Sequence, residues 1–175
     1  RPDVKLKRVF SDEILGAIFN KGVDFSSGNY ISKWDDDDLY GPSYLSDSII
    51  PFKYSSASIV GKMEIFMYHE KTDSLYQKYP GQRHKYLQFI HGPTIIAKRE
   101  VFEKVRFPEK SVGEDSGFLK NALNAGFKIY SGDPYNFVYM RSSDTKKHTY
   151  RPEDDVLLKN TKLISEGLST EGVFI

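Results

Sequence analysis

The sequence predicts an α/β fold, and three observations predict it. Residues 4–34 alternate strand, helix and strand, the pattern of a βαβ unit whose two strands run parallel. A second amphipathic helix over 114–125 leads straight into a short strand-like run, 127–130. Four consecutive carboxylates, Asp35, Asp36, Asp37 and Asp38, follow the strand-like stretch 29–34. Charge gathered at the carboxyl end of a strand stands where open α/β sheets hold their ligands.

Each element has its own signal. Residues 4–10 read as a strand on Val4, Leu6, Val9 and Phe10. Residues 12–25 place Ile14, Leu15, Ile18, Phe19 and Val23 at helical spacing, with Ser11 positioned to cap and Gly22 near the end. Ser26-Ser27-Gly28 turns the chain into the strand 29–34. Gly41-Pro42 interrupts it, and Pro42 at a first helical position predicts a short helix through Ile49. Residues 56–68 alternate well enough for one or two strands around Gly61-Lys62, and the polar stretch 71–82 predicts a surface excursion. Residues 86–97 are strand-like with a break at His91-Gly92-Pro93, and 98–105 form a short helix with Phe102 and Val105 on one face. The helix 114–125 turns Phe118, Leu119, Ala122 and Leu123 inward and stops at Gly126. Strands 127–130 and 135–141 follow, then a polar loop, 142–149, and a last helix, 154–165, on Val156, Leu157, Leu158, Leu163 and Ile164. This divides the chain into a domain, 1–150, and a C-terminal helix and tail, 151–175. An opening inside a strand predicts a fragment of a longer protein.

At 175 residues the chain is long enough for one domain with a real core. Its 25 basic and 24 acidic side chains nearly cancel, which argues against a non-specific nucleic-acid binder. No cysteine is present, so disulfides, thiolate zinc sites and a thiol nucleophile are excluded, and a cytoplasmic setting fits. The apolar runs are only a few residues long, and no membrane span is expected.

Three constellations can carry chemistry. Four adjacent carboxylates repel one another and call for a counter-charge; Mg²⁺ or Mn²⁺ carrying a phosphate supplies one. A solvated turn is the plain alternative, set against the apolar Trp34 and Leu39 that flank the run. It lacks the alternating ligands and central glycine of an EF-hand loop. The second is Gly113-Glu114-Asp115 at a helix start, where acidic groups complement the helix dipole by about 0.3–1 kcal/mol or serve as a general base. The third is His148, in a loop with Arg141, Lys146 and Lys147, either exposed or completing a metal site.

In this order the elements resemble family 2 glycosyltransferases of the GT-A fold, over residues 2–149. The helix and strand through Leu15-Gly16-Ala17-Ile18-Phe19 and Ser27-Gly28-Asn29-Tyr30-Ile31 look like those leading to the DxD motif. Asp35-Asp36-Asp37-Asp38 matches its DxDD form. Thr94-Ile95-Ile96-Ala97-Lys98-Arg99-Glu100-Val101-Phe102, then Val112-Gly113-Glu114-Asp115-Ser116-Gly117-Phe118-Leu119, matches the acceptor-side strand, helix and ED motif, about 80 residues on. DxD alone is weak; the ordered set is specific.

The resemblance implies a mixed, mostly parallel sheet flanked by helices, with the family's N-terminal strands missing before Pro2. It implies transfer of a sugar from a nucleotide-sugar donor, a UDP-sugar foremost, to a hydroxyl of a carbohydrate or lipid-linked acceptor. Inversion is expected, in polysaccharide, glycolipid or cell-wall polymer synthesis, in the cytoplasm or at the inner face of a membrane, with no nucleic-acid partner. Asp35, with Asp36, would contact the donor; Asp37 would ligate Mn²⁺ or Mg²⁺, supported by Asp38, with His148 a further ligand. Asp115 would be the catalytic base, with Glu114 the second candidate. Trp34, His91, Tyr86 and Tyr44 are acceptor-side candidates, since aromatic faces and an imidazole suit sugars, although each also suits packing. A truncated donor site could leave the fragment inactive. Two alternatives stand beside this reading: a sugar- or nucleotide-binding module that has lost catalysis, and an unrelated metal-dependent phosphoryl-transfer enzyme, which the lack of a P-loop disfavours.

Overall fold

The computed structural model describes residues 7–8, 12–144 and 151–175. The elements run α1 (Leu15–Phe25), β1 (Tyr30–Ser32), β2 (Leu39–Tyr40), α2 (Tyr44–Ser48), α3 (Pro51–Tyr54), β3 (Ile59–Gly61), β4 (Ile65–His69), β5 (Ser74–Lys78), β6 (Lys85–Leu87), β7 (Ile96–Lys98), α4 (Arg99–Lys104), α5 (Glu114–Asn124), β8 (Ile129–Ser131), β9 (Phe137–Arg141), α6 (Asp154–Leu158) and β10 (Thr161–Glu166). Short 3-10 turns occupy Glu70–Thr72 and Gly92–Thr94.

Among the described residues two five-stranded sheets form, with orders β1-β7-β3-β8-β6 and β10-β5-β4-β9-β2. The α/β class holds, but the mostly parallel sheet does not. Among the described residues six strand pairings are antiparallel, and only β3–β8 and β4–β9 are parallel. The physical reason is connection length. Parallel neighbours need a crossover of a dozen residues or more, whereas β4 and β5 are joined by residues 70–73 alone. The expected βαβ unit needed a strand over 4–10, which falls almost wholly outside the described residues, as does Ser11. The second strand of that unit, β1, runs antiparallel to β7.

The first sheet is covered on both faces, and its strands show this by alternation. Ile59, Ala97 and Ile129 point into a core with Val101, Phe102, Phe118 and Leu119 of α4 and α5, while Val60, Ile96 and Tyr130 pack with Ala57, Ile49 and Phe52 on the other side. Phe118 stacks between Phe107 and Phe102, with centroids 4.5 and 5.1 Å away. The second sheet buries Phe66, Leu75 and Val138 on one face and Ile65 and Phe137, with Tyr44, on the other.

Several local expectations change. Pro42 does not open a helix: α2 starts at Tyr44 after Ser43, and Pro51 takes the first-turn position in α3 instead. The polar stretch 71–82 holds a true strand, β5, because Leu75 is buried between neighbours on both edges. The last helix stops early. Asn160 adopts a left-handed φ of 58°, and 161–166 continues as β10 along the edge of β5, where Leu163 and Ile164 stay exposed. Helix α5 ends as expected, with Gly126 at φ 88°, a conformation most side chains resist.

Candidate functional site

The acidic run is one of the connections between the two sheets. Among the described residues β1 is the edge of one sheet and β2 the edge of the other, and residues 33–38 join these two strands. Because β1 runs antiparallel to β7, its carboxyl end lies beside the segment entering β7, the turn Gly92–Thr94. The Lys33 backbone N–H donates to Ile95 O at 2.9 Å. The Asp35 N–H donates to the Tyr40 hydroxyl at 2.9 Å, and that hydroxyl donates to Pro93 O at 3.1 Å. Trp34 stacks on Tyr40 with ring centroids 4.4 Å apart. A turn of four aspartates is thereby held in one shape by a tyrosine and two strand edges.

Within it, Asp35, Asp37 and Asp38 bring carboxylate oxygens within 4.8 Å of one another. Around octahedral Mg²⁺ with metal–oxygen distances of about 2.1 Å, cis oxygens stand about 3.0 Å apart and trans oxygens about 4.2 Å, so the three carboxylates draw closer together as they take up a cation. Oxygen ligands of this type fit a hard divalent cation. Asp38 is 8% exposed; its Oδ1 accepts the Met140 N–H at 2.9 Å, and its Oδ2 is buried with no hydrogen-bond partner. Burial pushes its pKa up to about 8, against the Met140 hydrogen bond and with help from Asp37 and Asp35. A cation would relieve that penalty. Asp36 is exposed at the turn.

Asp115 arrives from α5, in its first turn beside buried Glu114. Its carboxylate lies against the Gly92 backbone so closely that a Cβ on Gly92 would sit 1.8 Å from Asp115 Oδ2, so only glycine fits there. Asp115 Oδ1 is buried and has no hydrogen-bond partner. Burial raises the pKa of Asp115 to about 6, opposed by Lys33. The carboxyl groups of Asp38 and Asp115 are both displaced upward, and both lie here. Carboxyls perturbed in this way gather at functional sites.

Lys33 joins the two acidic segments. Its ammonium is 2.6 Å from Asp35 Oδ1 and 3.4 Å from Asp115 Oδ2, with the side chain 8% exposed and 4.7 Å over the Phe19 ring. Burial opposes its charge, but Asp115 and Asp35 outweigh burial and raise its pKa. Lys33, Tyr40 and Gly92 carry no motif. The one sequence signal for Lys33 is a lone cation two residues before an acidic run.

The remaining candidates separate. Trp34 is 48% exposed and borders the turn. Tyr44 is fully buried, edge-on to Trp34 and Tyr40, and is packing. The His91 ring packs with Tyr79 and Phe89 at 5.9 and 6.3 Å, and burial lowers its pKa to about 4. Its carbonyl accepts from the Thr94 N–H and hydroxyl, shaping the turn that carries Gly92. Tyr86 lies on β6, the opposite edge of the sheet from β1, and bonds to Ser56. His148 lies outside the described residues. Hollows of about 430 Å³ between α1 and α4 and about 370 Å³ beside β6 are lined by none of the acidic-site residues.

Among the described residues no helix is long and apolar enough to cross a membrane. Compared with family models and with curated proteins, the chain matches none.

Proposed function

We propose that this chain is a metal-dependent glycosyltransferase domain that moves a sugar from a nucleotide-sugar donor to an acceptor hydroxyl, with inversion. One observation carries the reading: Lys33 contacts both Asp35 and Asp115, so two acidic segments about 80 residues apart meet at a single ammonium, each with a raised carboxyl. On this reading Asp35, Asp37 and Asp38 hold Mn²⁺ or Mg²⁺. The cation, when bound, stabilises charge on the departing diphosphate. Asp115 accepts the proton of the attacking hydroxyl. A carboxyl near 6 is ionised at neutral pH and more basic than an ordinary aspartate, which suits a general base. Trp34 offers an exposed ring for stacking on a sugar or base beside the turn.

The test is calorimetric titration of UDP with and without Mn²⁺, followed by turnover of a panel of UDP-sugars. Binding that needs Mn²⁺ and disappears in Asp37→Ala supports the metal seat. Binding without turnover of any donor favours the non-catalytic module. UDP binding that ignores Mn²⁺ and Asp37 overturns the reading.

A further inference from the structure

We infer that Lys33 is a positioning residue that sets metal affinity: it competes with the divalent cation for Asp35 and hands that competition on to Asp115. The inference rests on the reading of the acidic turn as a cation seat. Asp35 belongs to two sets at once. It is one of the three carboxylates gathered within 4.8 Å, and it is the nearer partner of Lys33, at 2.6 Å. A divalent ion drawn to Asp35, Asp37 and Asp38 therefore meets a positive charge already seated on one of its ligands. With the lysine side chain 8% exposed, water screens that opposition only weakly.

Lys33 has a second place to go. Asp115 Oδ2 is 3.4 Å away, and Gly92 backs that carboxylate closely. The Lys33 main chain is tied to Ile95 O, and its ammonium lies 4.7 Å over the Phe19 ring between the two carboxylates, so it can exchange one for the other while its backbone stays in place. When the cation takes Asp35, Lys33 retains Asp115. When Asp115 is charged it draws Lys33 off Asp35 and eases cation entry. Coupling of this kind is reciprocal. It links occupancy of the metal seat to the charge that faces the base.

The experiment follows free Mn²⁺ by electron paramagnetic resonance as it is titrated into this chain, with no donor or acceptor present. Lys33→Gln removes the competitor and should tighten Mn²⁺ binding about tenfold. Asp115→Asn removes the alternative partner, leaves Lys33 on Asp35 and should weaken binding about threefold. In the double variant the Asp115→Asn effect should vanish, because the lysine that transmits it is gone. Lys33→Arg keeps the charge and should stay within about threefold of the parent. A purely structural lysine predicts the opposite for Lys33→Gln, a loss of affinity, and additive effects in the double variant. Either result overturns the inference while the metal seat stands. Should Lys33→Gln fail to fold, Asp115→Asn decides alone: unchanged or tighter Mn²⁺ binding sinks the inference. No Mn²⁺ binding by the parent, or binding indifferent to Asp37→Ala, overturns the metal seat and this inference together.

Discussion

Two buried lysines in this protein meet opposite surroundings. Lys62 is 2% exposed and holds one partner residue, Asp133, through its carbonyl at 2.8 Å and its carboxylate at 3.2 Å. Burial wins there, and the lysine pKa is lowered. Lys33 faces two carboxylates, and its pKa is raised. Around Lys62 charge is matched one to one, and Asp133, with a side chain 33% exposed, keeps access to water. Around Lys33 two carboxylates, Asp35 and Asp115, share one ammonium, and Asp38 Oδ2 and Asp115 Oδ1 are buried without hydrogen bonds. The difference separates a structural tie from a site. A matched buried pair closes an interior, whereas a surplus of buried negative charge is stable only if protons or a cation complete it.

The sharpest way to break the comparison is at the base. Asp115→Asn should lower sugar transfer about 10²–10⁴-fold, read as UDP release from a turned-over donor in the presence of Mn²⁺. Transfer that stays within a few-fold removes Asp115 from the chemistry. In the parent, kcat/KM should rise with pH through about 6, since the carboxyl must be ionised to accept a proton. A profile flat from pH 5 to 8 contradicts that assignment.

Next in size is stability without metal. Lys33→Met strands the carboxylate of Asp115, 19% exposed and with Oδ1 already without a hydrogen bond, and should cost about 3 kcal/mol in urea denaturation, with saturating Mn²⁺ on the neighbouring Asp35 restoring part of it. Lys62→Met removes a buried charge and frees a carboxylate that water reaches, and should cost about 1 kcal/mol or less. Equal losses would mean that the two lysines do the same work.

A third contrast uses pH. The carboxyl of Asp38 is held near 8 in the folded chain against an ordinary 3.8. With no metal present, the folded group stays protonated across that interval while the unfolded one ionises. Its contribution to stability is therefore fullest below about pH 4 and is lost as pH rises toward 8. Asp38→Asn should flatten this slope in metal-free chevron or melt data. Mn²⁺ must displace the same proton, so its affinity should climb by up to about tenfold per pH unit between 6 and 8. Mn²⁺ affinity that is constant over that range contradicts Asp38 as a ligand.

The smallest effect is expected at the far edge of the same sheet. Tyr86→Phe removes the exposed hydroxyl that accepts from the Ser56 N–H at 2.9 Å and should lower stability only slightly, with Mn²⁺ affinity unmoved. A change in metal binding would tie β6 to the acidic turn across the whole sheet.

Local rules made much of the architecture legible from residues alone. Helical spacing found α1, α4 and α5, Gly126 marked the end of α5, and the two strands around Gly61-Lys62 stand as β3 and β4. Those signals act over a few residues, through side-chain periodicity and backbone conformation, and so they survive without neighbours. Periodicity failed where a neighbour decided. Leu163 and Ile164 fit a helical stripe, yet 161–166 pairs with β5; the stretch 71–82 looked polar, yet Leu75 sits between strands. Strand direction was equally out of reach, because it depends on which strands meet and how long their connections are.

The same division runs through the site. The sequence by itself determined that four aspartates stand together and that an acidic pair opens an amphipathic helix, since chain adjacency and helix amphipathicity are local properties. Only the tertiary structure decided that these segments share Lys33, that Asp38 and Asp115 are desolvated, and that Tyr44, His91 and Tyr86 turn to packing or to another edge. Desolvation and charge pairing depend on distance in space, and the antiparallel pairing of β1 with β7, which sets the turn 33–38 beside Gly92, fixes that distance here.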